Sequence, residues 1–305
     1  MRLAVAASPE VAIPTLEALL TSTHTLVRVI SQPDRPAGRG KELTPTAVST
    51  WALGRGIELL RPESKEDIAA AAEGVDCVIT IGYGLLIPAH ILEIPPHGFL
   101  NLHFSLLPRW RGAAPVQRSI EAGDSVTGVT VFQLDEGMDT GPIYTVHRFA
   151  LDSDITSDEL FAELGELGIE AVLEALVLIE KGVRPQAQKS DGATRARKLT
   201  REEAKIDWSK SAEEISAKIR AFTSSPGAWT LFRGSPLKIA SPVIAQSYEG
   251  SELQAGEMAL VNKKVFIGTG TTPLEIGYIT GAGKAITPAA AWANGARLIE
   301  GERCE

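Results

Sequence analysis

The segment Phe99-Leu-Asn-Leu-His103 places two polar side chains in an otherwise apolar run. Successive side chains of a β-strand point to opposite faces, so Asn101 and His103 share one face, about 6.6 Å apart along the chain. An amide and an imidazole at a strand end offer hydrogen bonds and a titratable nitrogen to a ligand. Alternatively, His103 is a buried histidine whose ring is satisfied by a neighbouring carbonyl.

Two turns downstream add further polar groups. The stretch Ser105 to Pro115 is stiffened by Pro108 and Pro115, and it exposes backbone donors. The run Asp135-Glu-Gly-Met-Asp139-Thr-Gly is a tight, glycine-flanked turn that carries a carboxylate. Taken singly, each turn is either structural or part of a site.

The elements that must position these groups alternate along the first half of the chain. Short β-branched runs are followed by helical patterns, and Phe99 to His103 is one of these runs. This alternation predicts a doubly wound, mostly parallel α/β sheet, in which ligands bind outside the carboxyl ends of the strands. The sequence Thr156-Ser-Asp-Glu159 predicts a capping box at the start of a long helix.

Apolar periodicity lapses between Gly182 and Arg201, which indicates an interdomain linker. One helix and several short strands, separated by Gly, Ser and Pro, follow this segment and predict a small β-barrel. We therefore expect a catalytic domain over 1–188, a linker over 189–205 and a second domain over 206–305. Two domains suit a chain of 305 residues.

Composition excludes several classes of protein. The sequence contains no run of about 18 uncharged apolar residues and no signal-peptide pattern, so we expect a cytoplasmic protein. We also expect a monomer, although no sequence pattern carries that expectation. Of the two cysteines, Cys77 is predicted in the core and Cys304 at the surface. The five histidines show no metal-ligand spacing, so no metal is expected.

Two nucleotide-binding motifs fail on inspection. A phosphate loop needs glycine five positions before Gly283, where Tyr278 stands, and Ser or Thr where Ala285 stands. No Gly-x-Gly-x-x-Gly follows the first predicted strand, so dinucleotide binding lacks support.

Together, the runs Asn101-Leu-His-Phe-Ser-Leu-Leu-Pro108, Arg111-Gly112 and Asp139-Thr-Gly141 resemble the active-site pattern of folate-dependent formyltransferases. Further segments resemble the branch of that family whose acceptor is initiator methionyl-tRNA. They are Gln32 to Lys41, Arg109 to Pro115, Lys198 to Trp208 and Gly281 to Lys284. One departure is Phe104, where the family often has glycine, and we expect its bulk to reshape the pocket floor.

The resemblance implies a Rossmann-like formyltransferase domain followed by an OB-like, tRNA-binding domain. It implies transfer of a formyl group from 10-formyltetrahydrofolate to the amino group of methionine on initiator tRNA. In that chemistry Asn101 and His103 hydrogen-bond the formyl oxygen as it gains charge, and Asp139 takes the amine proton. The folate site would be lined by the backbone of Ser105, Leu106, Leu107 and Pro108.

The predicted acceptor site lies elsewhere. The loop from Gln32 to Pro45 has too little apolar content to bury itself, so it is a solvated surface loop or a functional one. The resemblance favours contact with the tRNA acceptor end through Arg39, Lys41 and Arg35. Residues 1–188 hold 14 basic and 25 acidic side chains, whereas 189–305 hold 16 and 13, which suits a phosphate partner for the second part.

Three rival functions stay open on sequence alone. A sugar-nucleotide amine formyltransferase shares the Asn101, His103 and Asp139 pattern but has no evident need for the Gln32 to Pro45 loop. A deformylase would leave the basic second part without a role. A nucleic-acid-binding module on an inactive enzyme fold conflicts with the intact polar residues.

Overall fold

The computed structural model describes residues 1–37 and 42–305. The chain packs as two compact units. The first comprises Met1–Pro115, Val126–Ala150 and Phe161–Ala196, and the second comprises Val116–Ser125, Leu151–Leu160 and Arg197–Glu305. The predicted domain limits at 188 and 206 stay a prediction, and the change of unit at 196–197 falls inside the predicted linker.

The strands and helices are numbered in chain order. The strands are β1 (Arg2–Ala7), β2 (Thr25–Ile30), β3 (Arg35–Ala37), β4 (Glu42–Thr44), β5 (Glu58–Leu60), β6 (Cys77–Ile81), β7 (Phe99–His103), β8 (Arg111–Gly112), β9 (Val126–Gln133), β10 (Ile143–Ala150), β11 (Arg195–Ala196), β12 (Trp229–Phe232), β13 (Ser235–Ile244), β14 (Met258–Val261), β15 (Lys264–Ile267), β16 (Leu274–Gly281) and β17 (Thr287–Pro288). The helices are α1 (Ile13–Thr21), α2 (Ala47–Arg55), α3 (Lys65–Ala72), α4 (Ala89–Leu92), α5 (Pro115–Glu121), α6 (Ser157–Glu180), α7 (Ala212–Ala221) and α8 (Ala289–Ala296), with a 3-10 turn at Glu10–Ala12.

The first unit is built on a sheet with the strand order β10-β9-β7-β6-β1-β2-β5. Strands β5, β2, β1, β6 and β7 pair in parallel, and β9 and β10 join antiparallel at one side. All five residues of β6 are buried, as expected for a strand covered on both faces. The predicted fold class, a mostly parallel α/β sheet, is confirmed.

Strand β7 lies inside this sheet, between β6 and β9. Asn101 stands opposite Thr80 on one side and Phe132 on the other, and His103 stands opposite Thr130. The apolar residues of β7 are buried, so both polar side chains start from a fixed backbone near the carboxyl end of a central strand.

The helix entering from Thr156 begins as predicted. The Thr156 hydroxyl accepts from the backbone N–H of Glu159 at 3.3 Å, and the Glu159 carboxylate accepts from the backbone N–H of Thr156 at 2.9 Å. This reciprocal pair satisfies two backbone donors that the first helical turn leaves free. The predicted capping box is confirmed.

The second unit contains an antiparallel sheet with the order β12-β13-β16-β15-β14, and β17 pairs with β16. Helix α7 precedes it, and its capping box joins Ser211 and Glu214. Three elements were not predicted: β14, β17 and α8. The prediction of a surface Cys304 is wrong, because its thiol is buried and lies 3.4 Å from the Met258 sulfur.

The described residues of the Gln32 to Pro45 segment include two short strands that were not predicted. Strands β3 and β4 pair antiparallel, with Arg35 opposite Thr44 and Pro36 opposite Leu43. Short paired strands satisfy backbone groups without an apolar core, which the composition alone did not indicate. None of the helices in the described part of the chain has the length and apolar character that crossing a bilayer requires.

Candidate active site

Asn101 is oriented by a threonine on the neighbouring strand. The Thr80 hydroxyl donates to Asn101 Oδ1 at 2.8 Å and lies 2.9 Å from the carbonyl of Leu100. Because the amide oxygen of Asn101 is engaged in this way, its amide nitrogen is directed to act as the donor toward a ligand. Sequence analysis missed Thr80, whose only signal was a lone hydroxyl in an apolar strand.

His103 is 5% exposed, and its two ring nitrogens face different groups. Its Nε2 donates to the carbonyl of Trp110 at 2.9 Å, and its Nδ1 lies 3.9 Å from Asp139 Oδ2. Burial lowers the pKa of His103 below its ordinary value near 6.5, although the charge of Asp139 and the hydrogen bond to Trp110 both act in the opposite direction. The ring is therefore neutral at pH 7, with its hydrogen on Nε2.

Asp139 lies in a turn with an unusual backbone. Its φ is +54°, in the left-handed region, which aspartate tolerates better than most residues. Its Oδ2 accepts from the backbone N–H of Gly112 at 2.7 Å. Two residues later, position 141 must be glycine, because a Cβ there would lie 1.8 Å from the carbonyl oxygen of Gln133. The turn thus presents the carboxylate of Asp139 beside His103.

Thr130 forms two hydrogen bonds with the backbone of the loop that is predicted to line the folate site. Its hydroxyl donates to the Ser105 carbonyl at 2.7 Å and accepts from the Leu107 N–H at 3.2 Å. The Ser105 hydroxyl donates to the carbonyl of Arg109 at 2.7 Å. Ser105 and Leu107 are buried, whereas Leu106 and Pro108 are partly exposed. The first pair holds the loop in place, and the second is the part that a ligand can reach.

Phe104 follows His103 and points into the interior. It is 6% exposed, and its ring packs edge-on against Phe161 of α6, with 6.0 Å between the ring centres. The side chain of Phe104 is therefore accommodated by its packing against α6.

An extended segment near residue 190 also supports the site, which sequence analysis did not predict. Strand β11 pairs in parallel with β8, and the Thr194 hydroxyl accepts from the backbone N–H of Trp110 at 2.9 Å. A Cβ on Gly112 would lie 2.6 Å from the carbonyl oxygen of Ala196, so glycine allows this close approach. The segment carries no periodic pattern, because its contacts are made with residues about 80 positions away.

The structure brings together Asn101, His103 and Asp139, with the loop of Ser105 to Pro108 beside them. The residues predicted to contact tRNA are a separate set. Arg35 is exposed on β3. Arg39 and Lys41 lie outside the described residues.

Family models match both parts of the chain. The model described as "Formyl transferase" covers residues 1–176, and "Formyl transferase, C-terminal domain" covers residues 198–297. The chain therefore belongs to the formyl transferase family, as the resemblance of its motifs predicted.

Among curated relatives, methionyl-tRNA formyltransferase from Salinispora tropica is 42% identical over 309 residues, covering 99% of both chains. The enzyme of the same name from Corynebacterium glutamicum strain R is 42% identical and covers 98% of both. That from Thermobifida fusca is 40% identical and covers 99% of both. This full-length identity groups the chain with methionyl-tRNA formyltransferases and favours that branch over sugar formyltransferases.

Solved structures agree at the level of fold. WlaRD, a sugar 3N-formyl transferase, has a TM-score of 0.68 and 18% identity, covering 93% of this chain and 99% of that one. Methionyl-tRNA formyltransferase from Clostridium thermocellum has a TM-score of 0.57 and 17% identity, covering 81% and 95%. HypX from Aquifex aeolicus has a TM-score of 0.68 and 20% identity, and the chain spans 47% of its length.

Proposed function

We propose that this chain transfers the formyl group of 10-formyltetrahydrofolate to the free amino group of methionine on initiator tRNA. The observation that carries the proposal is the identity of 40–42% with methionyl-tRNA formyltransferases along almost the whole chain. The site adds chemical support, because an amide, an imidazole and a carboxylate are the groups that formyl transfer to an amine requires. The product is N-formylmethionyl-tRNA, which is used in translation initiation.

Asn101 stabilises the charge that develops during the reaction. When the amine attacks the formyl carbon, the carbonyl oxygen becomes an oxyanion. The amide nitrogen of Asn101 donates to this oxygen, with the amide fixed in advance by Thr80. A preorganised donor of this kind contributes about 3 to 4 kcal/mol of transition-state stabilisation.

Asp139 manages the proton that the amine must lose. Its carboxylate accepts one proton from the attacking nitrogen, and the same proton is delivered to N10 of the folate as the carbon–nitrogen bond breaks. Atoms and charge therefore balance without a further reactant. No serine or cysteine nucleophile takes part, and no metal is required.

His103 cooperates with Asp139. Because Nε2 is engaged by the carbonyl of Trp110, Nδ1 is the nitrogen that faces the carboxylate. A proton on Nδ1 makes the ring a second donor for the oxyanion, and the charge of Asp139 favours that protonated form. The imidazole is neutral in the resting state, and the proton that it gains is the one that the amine loses to Asp139, which passes on to N10 of the folate as the carbon–nitrogen bond breaks.

The two substrates use different surfaces in this proposal. The folate lies along the loop of Ser105, Leu106, Leu107 and Pro108. The tRNA acceptor end is held by Arg39, Lys41 and Arg35. Residues 1–188 perform the catalysis, the basic linker 189–205 contacts phosphates of the acceptor arm and 206–305 bind tRNA, in a cytoplasmic monomer.

A single competition assay tests the proposal. The protein is incubated with 10-formyltetrahydrofolate and both aminoacylated initiator tRNA and a sugar-nucleotide amine, and the fate of the formyl group is followed by mass. We expect formyl-methionine on the tRNA. Formyl transfer to the sugar alone, or release of formate to water, would contradict the proposal.

A further inference from the structure

The geometry points to Gln188 as a positioning residue that holds the Asp139 turn against the strand bearing Gly112. This inference rests on the proposed function, because it concerns the residue that takes the amine proton. Gln188 is the last residue of the predicted catalytic domain, and its side chain is hydrogen-bonded to Arg111 and to the carbonyls of Asp139 and Gly141. Its effect must therefore be exerted through Asp139.

The side-chain amide of Gln188 is used on both its donor and its acceptor side. Its Nε2 donates to the carbonyls of Asp139 at 3.0 Å and Gly141 at 2.7 Å. Its Oε1 accepts from Arg111, from Nη2 at 2.7 Å and from Nε at 3.2 Å. An amide has two N–H donors and one carbonyl oxygen, which this arrangement matches. A carboxylate lacks the donors, and an ammonium or guanidinium lacks the acceptor.

The turn depends on such bonds because its own backbone is unfavourable. A left-handed conformation at a non-glycine residue has a free-energy cost, and it persists only where the surroundings fix it. Gln188 binds the carbonyls on both sides of Thr140, immediately after the left-handed residue. It therefore holds the backbone of Asp139, whereas Gly112 holds the side chain of Asp139.

These contacts close into a ring. Arg111 and Gly112 are consecutive residues of β8, and β8 pairs with β11, which follows Gln188 along the same chain segment. The guanidinium of Arg111 also polarises the amide that it binds, which strengthens the donors facing the turn. Displacement of a reacting group by about 1 Å can lower a rate 100-fold, so these contacts affect the reaction through the position of Asp139.

The test uses two nearly isosteric variants and one matched control. Gln188→Glu keeps the bond to Arg111 but loses both donors to the turn, and Gln188→Met loses all the hydrogen bonds without adding charge. Gln186→Glu is the control, because Gln186 is exposed and pairs with Ile143 through its backbone. We expect kcat to fall about 30-fold or more in both Gln188 variants, with each KM within about 3-fold of wild type.

The pH profile separates positioning from a general loss of structure. A carboxylate at position 188 lies close to the Asp139 turn and disfavours a second negative charge there. We therefore expect the acidic limb of the kcat profile to move to higher pH in Gln188→Glu and to stay in place in Gln188→Met. Gln186→Glu should leave both kcat and the profile unchanged.

Hydrogen exchange supplies a readout that does not depend on the reaction. The Gly112 amide is bonded to Asp139, so its exchange should accelerate about 10-fold in both Gln188 variants while the amides of β1 and β6 keep their protection. If the wild-type protein transfers no formyl group, the proposed function is wrong. Hydrogen exchange at the Gly112 amide then still tests whether Gln188 positions the Asp139 turn. The inference is wrong if both Gln188 variants keep the wild-type kcat and the wild-type exchange rate at Gly112. Global unfolding of both variants would overturn it as well.

Discussion

Polar groups are arranged differently in the proposed active-site cluster and on the surface around Trp229. In the first unit, Asn101, His103 and Asp139 are buried or partly buried, and each has a fixed hydrogen-bond partner. In the second unit, exposed Arg201 and Lys205 lie 5.7 and 5.9 Å from the centre of the Trp229 ring. The first arrangement fixes the direction of each hydrogen-bonding group, whereas the second leaves positive charge in contact with solvent.

The difference matches two physical tasks. Stabilising a transition state needs donors that are aimed before the reaction begins, because reorganising them adds to the barrier. Attracting a polyanion needs charge that phosphates can reach and that salt can compete for. Substitutions in the first region should therefore change kcat, and those in the second should change KM and its salt dependence.

The largest effect is expected for Asp139→Asn. The amide oxygen can still accept from the Gly112 N–H, so the turn is retained, but the group can no longer take a proton. We expect kcat to fall at least 100-fold, with little change in thermal midpoint, measured by single-turnover formyl transfer.

Glu136→Gln is the matched control for Asp139→Asn, because Glu136 is an exposed carboxylate on the same turn. It should behave as wild type. Rapid turnover in Asp139→Asn would remove the carboxylate from the proton transfer and weaken the contrast between the two regions.

A smaller loss is expected for Thr80→Val. Valine has the shape of threonine but cannot donate to Asn101 Oδ1, so the amide of Asn101 loses its fixed orientation. We expect kcat to fall about 10-fold, because one hydrogen bond contributes about 1 to 1.5 kcal/mol.

Thr145→Val is the control for Thr80→Val. Thr145 is also buried, and its hydroxyl donates to the carbonyl of Ala171 at 3.0 Å, on the outer strand β10. If both variants lose the same activity, the effect of Thr80 is one of stability and not of orientation.

These supporting residues also mark how far the sequence could predict the site. Strand alternation placed Asn101 and His103 on one face, which is a local signal, whereas the role of Asp139 was predicted from the resemblance of its motif to that of folate-dependent formyltransferases. Thr80 and Gln188 act through contacts 21 to 77 residues away, which leave no periodic signal in the sequence. The roles of Thr80 and Gln188 could therefore be assigned only once the structure showed their hydrogen-bond partners.

The same limit explains two differences in the fold. Cys304 was predicted at the surface, but it is enclosed by residues such as Met258 that are distant in sequence. The β3–β4 pairing forms in a segment without an apolar pattern, because its strands are joined by backbone hydrogen bonds. The parallel sheet was predictable, since the alternation of runs and helical patterns repeats along the chain.

In the second region we expect an effect on tRNA use alone. The double variant Arg201→Ala, Lys205→Ala should raise the KM for tRNA about 3- to 10-fold at low salt. The slope of log KM against log salt concentration should fall by about one to two, because one or two phosphate contacts are lost. Initial rates at several salt concentrations measure both, with the exposed Lys210→Ala as control. A lower kcat at saturating tRNA would contradict the division of tasks.

The smallest effect, a shift in the titration of His103, tests the electrostatics of the buried region directly. Burial lowers the pKa of His103 below 6.5, and the negative charge of Asp139 offsets part of that change. Removing the charge in Asp139→Asn should therefore lower the pKa further, which NMR titration of the ring can follow. Salt should alter this titration little, because a buried pair is poorly screened, whereas tRNA binding at Arg201 and Lys205 should weaken steeply. A rise in the His103 pKa on removal of the carboxylate would mean that the two side chains do not interact as the 3.9 Å approach indicates.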